Sequence, residues 1–213
     1  MKRAKIVGLC VVAAMAAGLL SMACKKSSSS GGSGGAQTGG QAVTQVVSML
    51  GYQALAVTHG KIADGKVKPL GTVPIADYTV PCTSGHISVH SSANETTSGG
   101  GGFSVSGNVV ATFNSCVVMG EAIAGGWTET FNITGAIVGT QVTVNGTVAV
   151  PNSTVNLSGD GFTGSCAVEQ TVTFSNLKFD TNTLVVSGTV TGSGSACGYT
   201  HNVTCDMSTG TCQ

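Results

Sequence analysis

Hydrophobic and polar residues alternate along most of the chain after residue 103, with serine, threonine and asparagine at the polar positions. A period of two is typical of strands that bury one face and expose the other. Glu129 interrupts the alternation between Trp127 and Phe131, because it places a charged residue at an apolar position. The apolar positions are Phe103, Val105, Gly107, Val109, Ala111 and Phe113; Trp127, Phe131, Ile133, Gly135 and Ile137; Val142, Val144, Gly146, Val148 and Val150; Val168, Val172 and Phe174; Leu184, Val186, Gly188 and Val190; and Tyr199, His201, Val203 and Cys205. The pattern predicts a mainly β fold, an antiparallel meander.

Four glycines fall in the middle of these strands, on the apolar face: Gly107, Gly135, Gly146 and Gly188. Glycine weakens a strand unless another element needs the space that a side chain would fill. One such need is strong coiling of the sheet, and the other is the close approach of a packed helix. Together they predict a curved sheet or partial barrel, and a flat sandwich would contradict this prediction.

The segment before the strands has a different period. Residues 41–59 carry apolar residues at helical spacing, and Gly60 is a plausible end of a helix. The apolar positions are Val43, Val46, Val47, Leu50, Ala54 and Val57. The chain is therefore expected to hold a helix and connection over 41–68 and a β domain over 69–213, with the sheet packed on the helix.

The N-terminus is typical of an export signal. Three basic residues lie among the first five, and residues 6–23 are uncharged. Ser21-Met22-Ala23 then precedes Cys24, and a polar tract follows. This arrangement resembles the signal of bacterial lipoproteins. The resemblance implies that residues 1–23 are removed and that Cys24 is lipidated, with palmitate among its acyl chains, so that the chain is held to a membrane.

The lipobox departs from the usual pattern, because Ser21 stands where leucine is common. Two other interpretations stay open: ordinary cleavage before Cys24, which leaves a free thiol, and retention of residues 6–23 as a span. In lipoproteins of Gram-negative type, Lys25 after the cysteine implies the outer membrane, facing the periplasm or the surface. Residues 24–40 are expected to form a flexible Ser/Gly tether beyond the lipidated cysteine.

Six further cysteines are expected to form disulfides: Cys82, Cys116, Cys166, Cys197, Cys205 and Cys212. An even number in an exported chain indicates up to three bridges, and six cysteines allow 15 pairings. One pair is favoured locally, since a two-residue turn at Ser208-Thr209 sets Cys205 opposite Cys212 in a hairpin.

The charge of the β domain is one-sided. From residue 69 onward there is one lysine, Lys178, against eight acidic residues, which leaves a net charge of −7. Nucleic-acid binding needs a basic surface that neutralises phosphates, and the domain has none. We therefore expect no nucleic-acid partner, and anionic ligands are disfavoured for the same reason.

No catalytic constellation stands out, and no cofactor is predicted. His86 and His90 lie four residues apart, which in a strand is about 13 Å and too far to share a metal ion. His201 is expected to be a hydrogen-bonded structural histidine. Asp160 and Glu169 are the acids that an enzyme, such as a hydrolase of envelope polysaccharide, would use.

The segment TVTFSNLKFDTNTLVVSGTV at 171–190 resembles uncharacterised Gly/Thr/Val-rich β-repeat lipoproteins, a likeness that implies no activity. The expected function is a non-catalytic envelope lipoprotein with a structural or protein-binding role, and an envelope protein is its expected partner. The alternative is a carrier of a hydrophobic ligand such as a lipid, because the inferred shape is similar to that of bacterial lipoprotein carriers with half-barrel folds.

Overall fold

The computed structural model describes residues 39, 40, 43, 46 and 73–213, apart from 160, 161, 181 and 184 and the side chains of 73–76, 78 and 95. Cys24, the predicted signal, Asp160 and Leu184 therefore lie outside the described residues. The elements are β1 (Val73–Pro81), β2 (Ser84–Ser98), a 3-10 turn (Gly99–Gly101), β3 (Gly102–Val118), β4 (Glu121–Val138), β5 (Gln141–Ser158), β6 (Thr163–Asp180), β7 (Val186–Ala196), β8 (Tyr199–Asp206) and β9 (Thr211–Cys212).

The nine strands form one antiparallel sheet in which every strand pairs with the next along the chain. The order is β1 to β9 without a crossover, and the sheet stays open at β1 and β9. The predicted meander is confirmed, and so is a curved, unclosed sheet. Seven register shifts interrupt the ladders, two of them between β5 and β6. Such bulges bend the strands and increase their twist.

The mid-strand glycines let neighbouring strands approach closely. A Cβ added to Gly107 would lie 2.0 Å from the carbonyl oxygen of Ser92, on the adjacent strand β2. At Gly146 and Gly188 the obstacle is again the backbone of an adjacent strand. At Gly135 it includes the ring of Phe103, 2.4 Å away. The sequence suggested two explanations for these glycines, strong coiling of the sheet and the close approach of a helix. The contacts with adjacent strands support the first, coiling of the sheet.

Two strands, β1 and β2, precede residue 103, where the alternation of the sequence begins. They lie within the β domain that was expected over 69–213. Pro74 and Pro81 stand near the ends of β1, which is an edge strand. Proline is tolerated at such an edge, where a missing N–H leaves few ladder bonds unmade.

Three disulfides staple the sheet, as predicted: Cys82–Cys116, Cys166–Cys197 and Cys205–Cys212. The first two lie at the same end of the sheet, near the β1–β2 and β7–β8 turns. The third joins register partners on β8 and β9, which confirms the local pairing. Its turn is wider than expected, because the residues between β8 and β9 form a four-residue turn over 207–210.

The buried apolar residues of the strands share one face, which we call the inner face, and form the core. Val43 and Val46 belong to the same core cluster, with helical backbone and no exposed area. Gly39 and Gly40 are also buried and helical, close to Phe162 and Tyr199 at the end of the sheet that holds two disulfides. The rest of 41–59 lies outside the described residues, so the helix stays a prediction. In the part of the chain that is described, no helix is long and apolar enough to span a membrane.

We expect Gly107→Ala to destabilise the domain by about 2–3 kcal/mol, since the new methyl group would overlap the backbone of β2. Gly99→Ala is the matched control, because nothing lies within 4 Å of its added Cβ. Denaturant unfolding of the oxidised proteins measures both effects. Equal stability of the two variants would contradict the close approach of the strands.

Candidate functional site on the inner face

Four polar residues lie on one row that crosses the inner face: Ser91 on β2, Glu129 on β4, Gln170 on β6 and His201 on β8. Register pairs join Ser91 to Val109 and Val109 to Glu129. Further pairs join Val150 to Gln170, Gln170 to Gly194, and Gly194 to His201. Thr130 pairs with Ala149, and the register between β4 and β5 shifts next to this pair, so Glu129 and Val150 are adjacent to the last paired residues of the ladder.

Glu129 is the most unusual member of the row. Its exposed fraction is 0 %, and neither carboxyl oxygen has a hydrogen-bond partner among the described residues. Its neighbours on the same face of β4 are Trp127 and Phe131, and its register partner on β3 is Val109. A carboxylate in such apolar surroundings is costly unless it is paired. The Glu129 carboxyl therefore does not belong to a hydrogen-bond network of the described residues.

Burial raises the pKa of Glu129 to about 8, and desolvation of the carboxylate is the cause. At neutral pH the side chain is accordingly a neutral carboxylic acid. In this form it offers one O–H donor and a carbonyl acceptor, and both are unused within the described residues.

Nε1 of Trp127, next to this row, and Nδ1 of His201, on it, also have no hydrogen-bond partner in the part of the chain that is described. Trp127 packs edge-on against Phe113, with ring centroids 4.8 Å apart. His201 stacks on Tyr199 at 6.4 Å, and burial lowers the pKa of the imidazole. The hydrogen bond expected for the His201 ring is therefore absent at Nδ1.

Glu121, the other buried acid, occupies a different setting. It begins β4 near the β3–β4 turn, and its exposed fraction is 1 %. A Cβ added to Gly159 would lie 2.4 Å from its Oε2, so the carboxyl packs over that glycine in the region of the β5–β6 turn. Unlike Glu129, it has an interaction partner.

The opposite face of the sheet, which we call the outer face, presents uncharged polar side chains. One unbroken row crosses seven strands through successive register pairs: Asn94, Ser106, Asn132, Thr147, Thr173, Thr191 and Thr204. The tryptophan, phenylalanine and tyrosine side chains that are described all pack on or against the core instead. The described outer face thus lacks the aromatic surface on which sugar rings stack.

A shallow groove of about 340 Å³ lies at the β1–β3 edge, lined in part by Asp77, His90 and Val110. The Nδ1 atom of His90 lies 2.5 Å from Oδ1 of Asp77, and both side chains are mostly exposed. An exposed ion pair contributes little to stability. No cluster of three metal-binding side chains occurs among the described residues.

The structure describes one of the two acids that an enzyme would use. Glu169 is exposed on β6, and Asp160 lies outside the described residues. Asp180 accepts hydrogen bonds from the N–H groups of Asn182 and Thr183, which lower its pKa and fix the β6–β7 turn. His86 and His90 both lie exposed on β2, in a strand as expected.

In the sequence, Glu129 is recognisable only as a break in the alternation, and it was not predicted to be a site residue. The signal was nevertheless present, because Glu129 and Gln170 both occupy apolar phases of strands. The sequence does not give the strand register that places these two residues on one row. Comparison with protein-family models, curated proteins and solved structures finds no match to this chain.

The raised pKa of Glu129 predicts a stability that falls as pH rises. The unfolded chain releases this proton near pH 4.5, whereas the folded chain holds it to about pH 8. The folded state therefore binds more protons in this window, and the free energy of unfolding falls by up to about 5 kcal/mol across it.

Denaturant unfolding of oxidised protein between pH 4.5 and 8 measures this loss. Glu129→Gln should remove the dependence, and Glu169→Gln, at an exposed site, should leave it unchanged. An equal pH dependence in wild type and Glu129→Gln would show that another group is responsible.

Proposed function

We propose that this chain is a non-catalytic lipoprotein of the cell envelope, attached through lipid on Cys24, and that it carries an apolar ligand on the inner face of its sheet. The observation that carries the proposal is Glu129, a buried carboxyl with no partner inside an apolar face. A purely structural sheet gains nothing from such a group, because an apolar side chain would pack there at lower cost. A binding face gains orientation and specificity from one polar group among apolar walls.

The disulfides and the sequence of the N-terminus support the location. Three bridges are typical of chains that fold in an oxidising compartment. The lipoprotein-like signal that ends at Cys24 supports export followed by anchoring, with Lys25 favouring the outer membrane in a Gram-negative host. The proposal of a non-catalytic role is supported by the separation of Glu169 on the outer face from Glu129 on the inner face.

A second candidate role is protein binding through the outer face. The row from Asn94 to Thr204 favours it, because a neutral surface of hydroxyl and amide groups across seven strands offers many hydrogen bonds to a partner. Such a surface can also be simply solvated. The inner-face role is better supported, since only a binding role explains the unpaired carboxyl.

Native mass spectrometry tests the carrier role directly. A Cys24→Ser variant, which cannot be lipidated, is exported to an oxidising compartment and purified without detergent. We expect one copurifying apolar molecule per chain. Phe174→Ala should lose this ligand while it retains cooperative unfolding, because Phe174 lies on the inner face with an exposed fraction of 5 %.

A bare protein mass, unchanged after incubation with a membrane lipid extract, would contradict the carrier role. Reproducible crosslinking of such a bare protein to one envelope protein, through cysteines introduced at Thr147 and Thr173, would establish the second role instead.

A further inference from the structure

We propose that the inner face binds an apolar molecule carrying one primary amine, and that the Glu129 carboxyl receives the ammonium group. This inference rests on the proposed carrier function and names the class of ligand. It starts from two observations: the carboxyl is fully buried without a partner, and its surroundings on three strands are apolar.

The described part of the domain does not provide a counter-charge for Glu129. Lys178 is the only lysine after residue 68, and the chain has no arginine after Arg3. The side chain of Lys178 is exposed on β6, away from the inner face. With no such cation among the described residues, we infer that the cation that pairs with Glu129 comes from a ligand.

The charge of the domain selects among ligand classes. Eight acids against one lysine attract cations and repel fatty acids and acidic lipids. A neutral alcohol offers a hydrogen bond but no charge, whereas an ammonium group pairs with the ionised carboxyl in surroundings of low dielectric constant. Because Glu129 has no exposed area, the rest of the ligand must displace apolar side chains and is therefore apolar itself.

Binding has a defined proton balance. Below about pH 8 the neutral carboxyl of Glu129 releases one proton to solvent and the resulting carboxylate pairs with the ammonium group, with no other bond formed or broken. Affinity should then rise about tenfold per pH unit up to pH 8 and level off above it. The inner faces of β3 and β5, which flank β4, carry no titratable side chain in their described residues. The remaining described titratable groups of the inner face are Glu121, Tyr199 and His201.

The chain contains one tryptophan, Trp127, two residues from Glu129 on the same face, and its fluorescence reports occupancy of the site. The test titrates the oxidised Cys24→Ser chain with octylamine, octanol and octanoate, each below its aggregation concentration. We expect octylamine to bind at least tenfold more tightly than octanol, and octanoate most weakly. Glu129→Gln should abolish the advantage of the amine, and Glu169→Gln should retain it.

Calorimetry of octylamine binding in two buffers of different ionisation enthalpy adds a readout that needs no variant. At pH 7 it should detect release of about one proton per amine bound. Equal binding of octylamine and octanol, no proton release, or unchanged amine binding by a folded Glu129→Gln would overturn the inference and leave the carrier role standing. Failure of all three probes to bind would overturn both proposals.

Discussion

A single sheet can remove one of its faces from water only if that face is curved upon itself or covered. In this protein the curvature depends on how closely neighbouring strands approach on the inner face. Gly107, Gly146 and Gly188 make the approach sterically allowed, since a methyl group at any of them would overlap the backbone of an adjacent strand. Register shifts between the strands add bends where an extra residue is accommodated.

The curved inner face creates the environment that makes Glu129 unusual. On a flat, solvated sheet a glutamate at this position would be ionised and hydrated. Here the same residue is surrounded by valine and aromatic side chains, so the neutral acid is the favoured form at neutral pH. The backbone geometry thus determines the protonation state of this side chain. The disulfides at the ends of the sheet stabilise the fold by restricting the unfolded chain.

Much of the fold could be predicted from the sequence, because a period of two and an even number of cysteines are local signals. The antiparallel meander, the three disulfides and the Cys205–Cys212 pair all follow from such signals. The bounds of β1 and β2 could not be predicted in this way, because the clear alternation begins at residue 103 and because Pro74 and Pro81 are compatible with a strand only at an edge. The candidate site could not be predicted from the sequence, for a different reason. The row from Ser91 to His201 depends on bulges that shift the register between β3 and β4, β5 and β6, and β6 and β7, and no local pattern in the sequence gives their positions.

Infrared spectroscopy measures the protonation state of Glu129 directly. The carbonyl stretch of a neutral carboxylic acid is separated from the bands of carboxylates, and a difference spectrum of wild type minus Glu129→Gln isolates one side chain. We expect a neutral-acid band at pH 6 that disappears as pH rises through about 8. A spectrum with only carboxylate bands at pH 6 would contradict it, because Glu129 would then be ionised and either solvated or already paired.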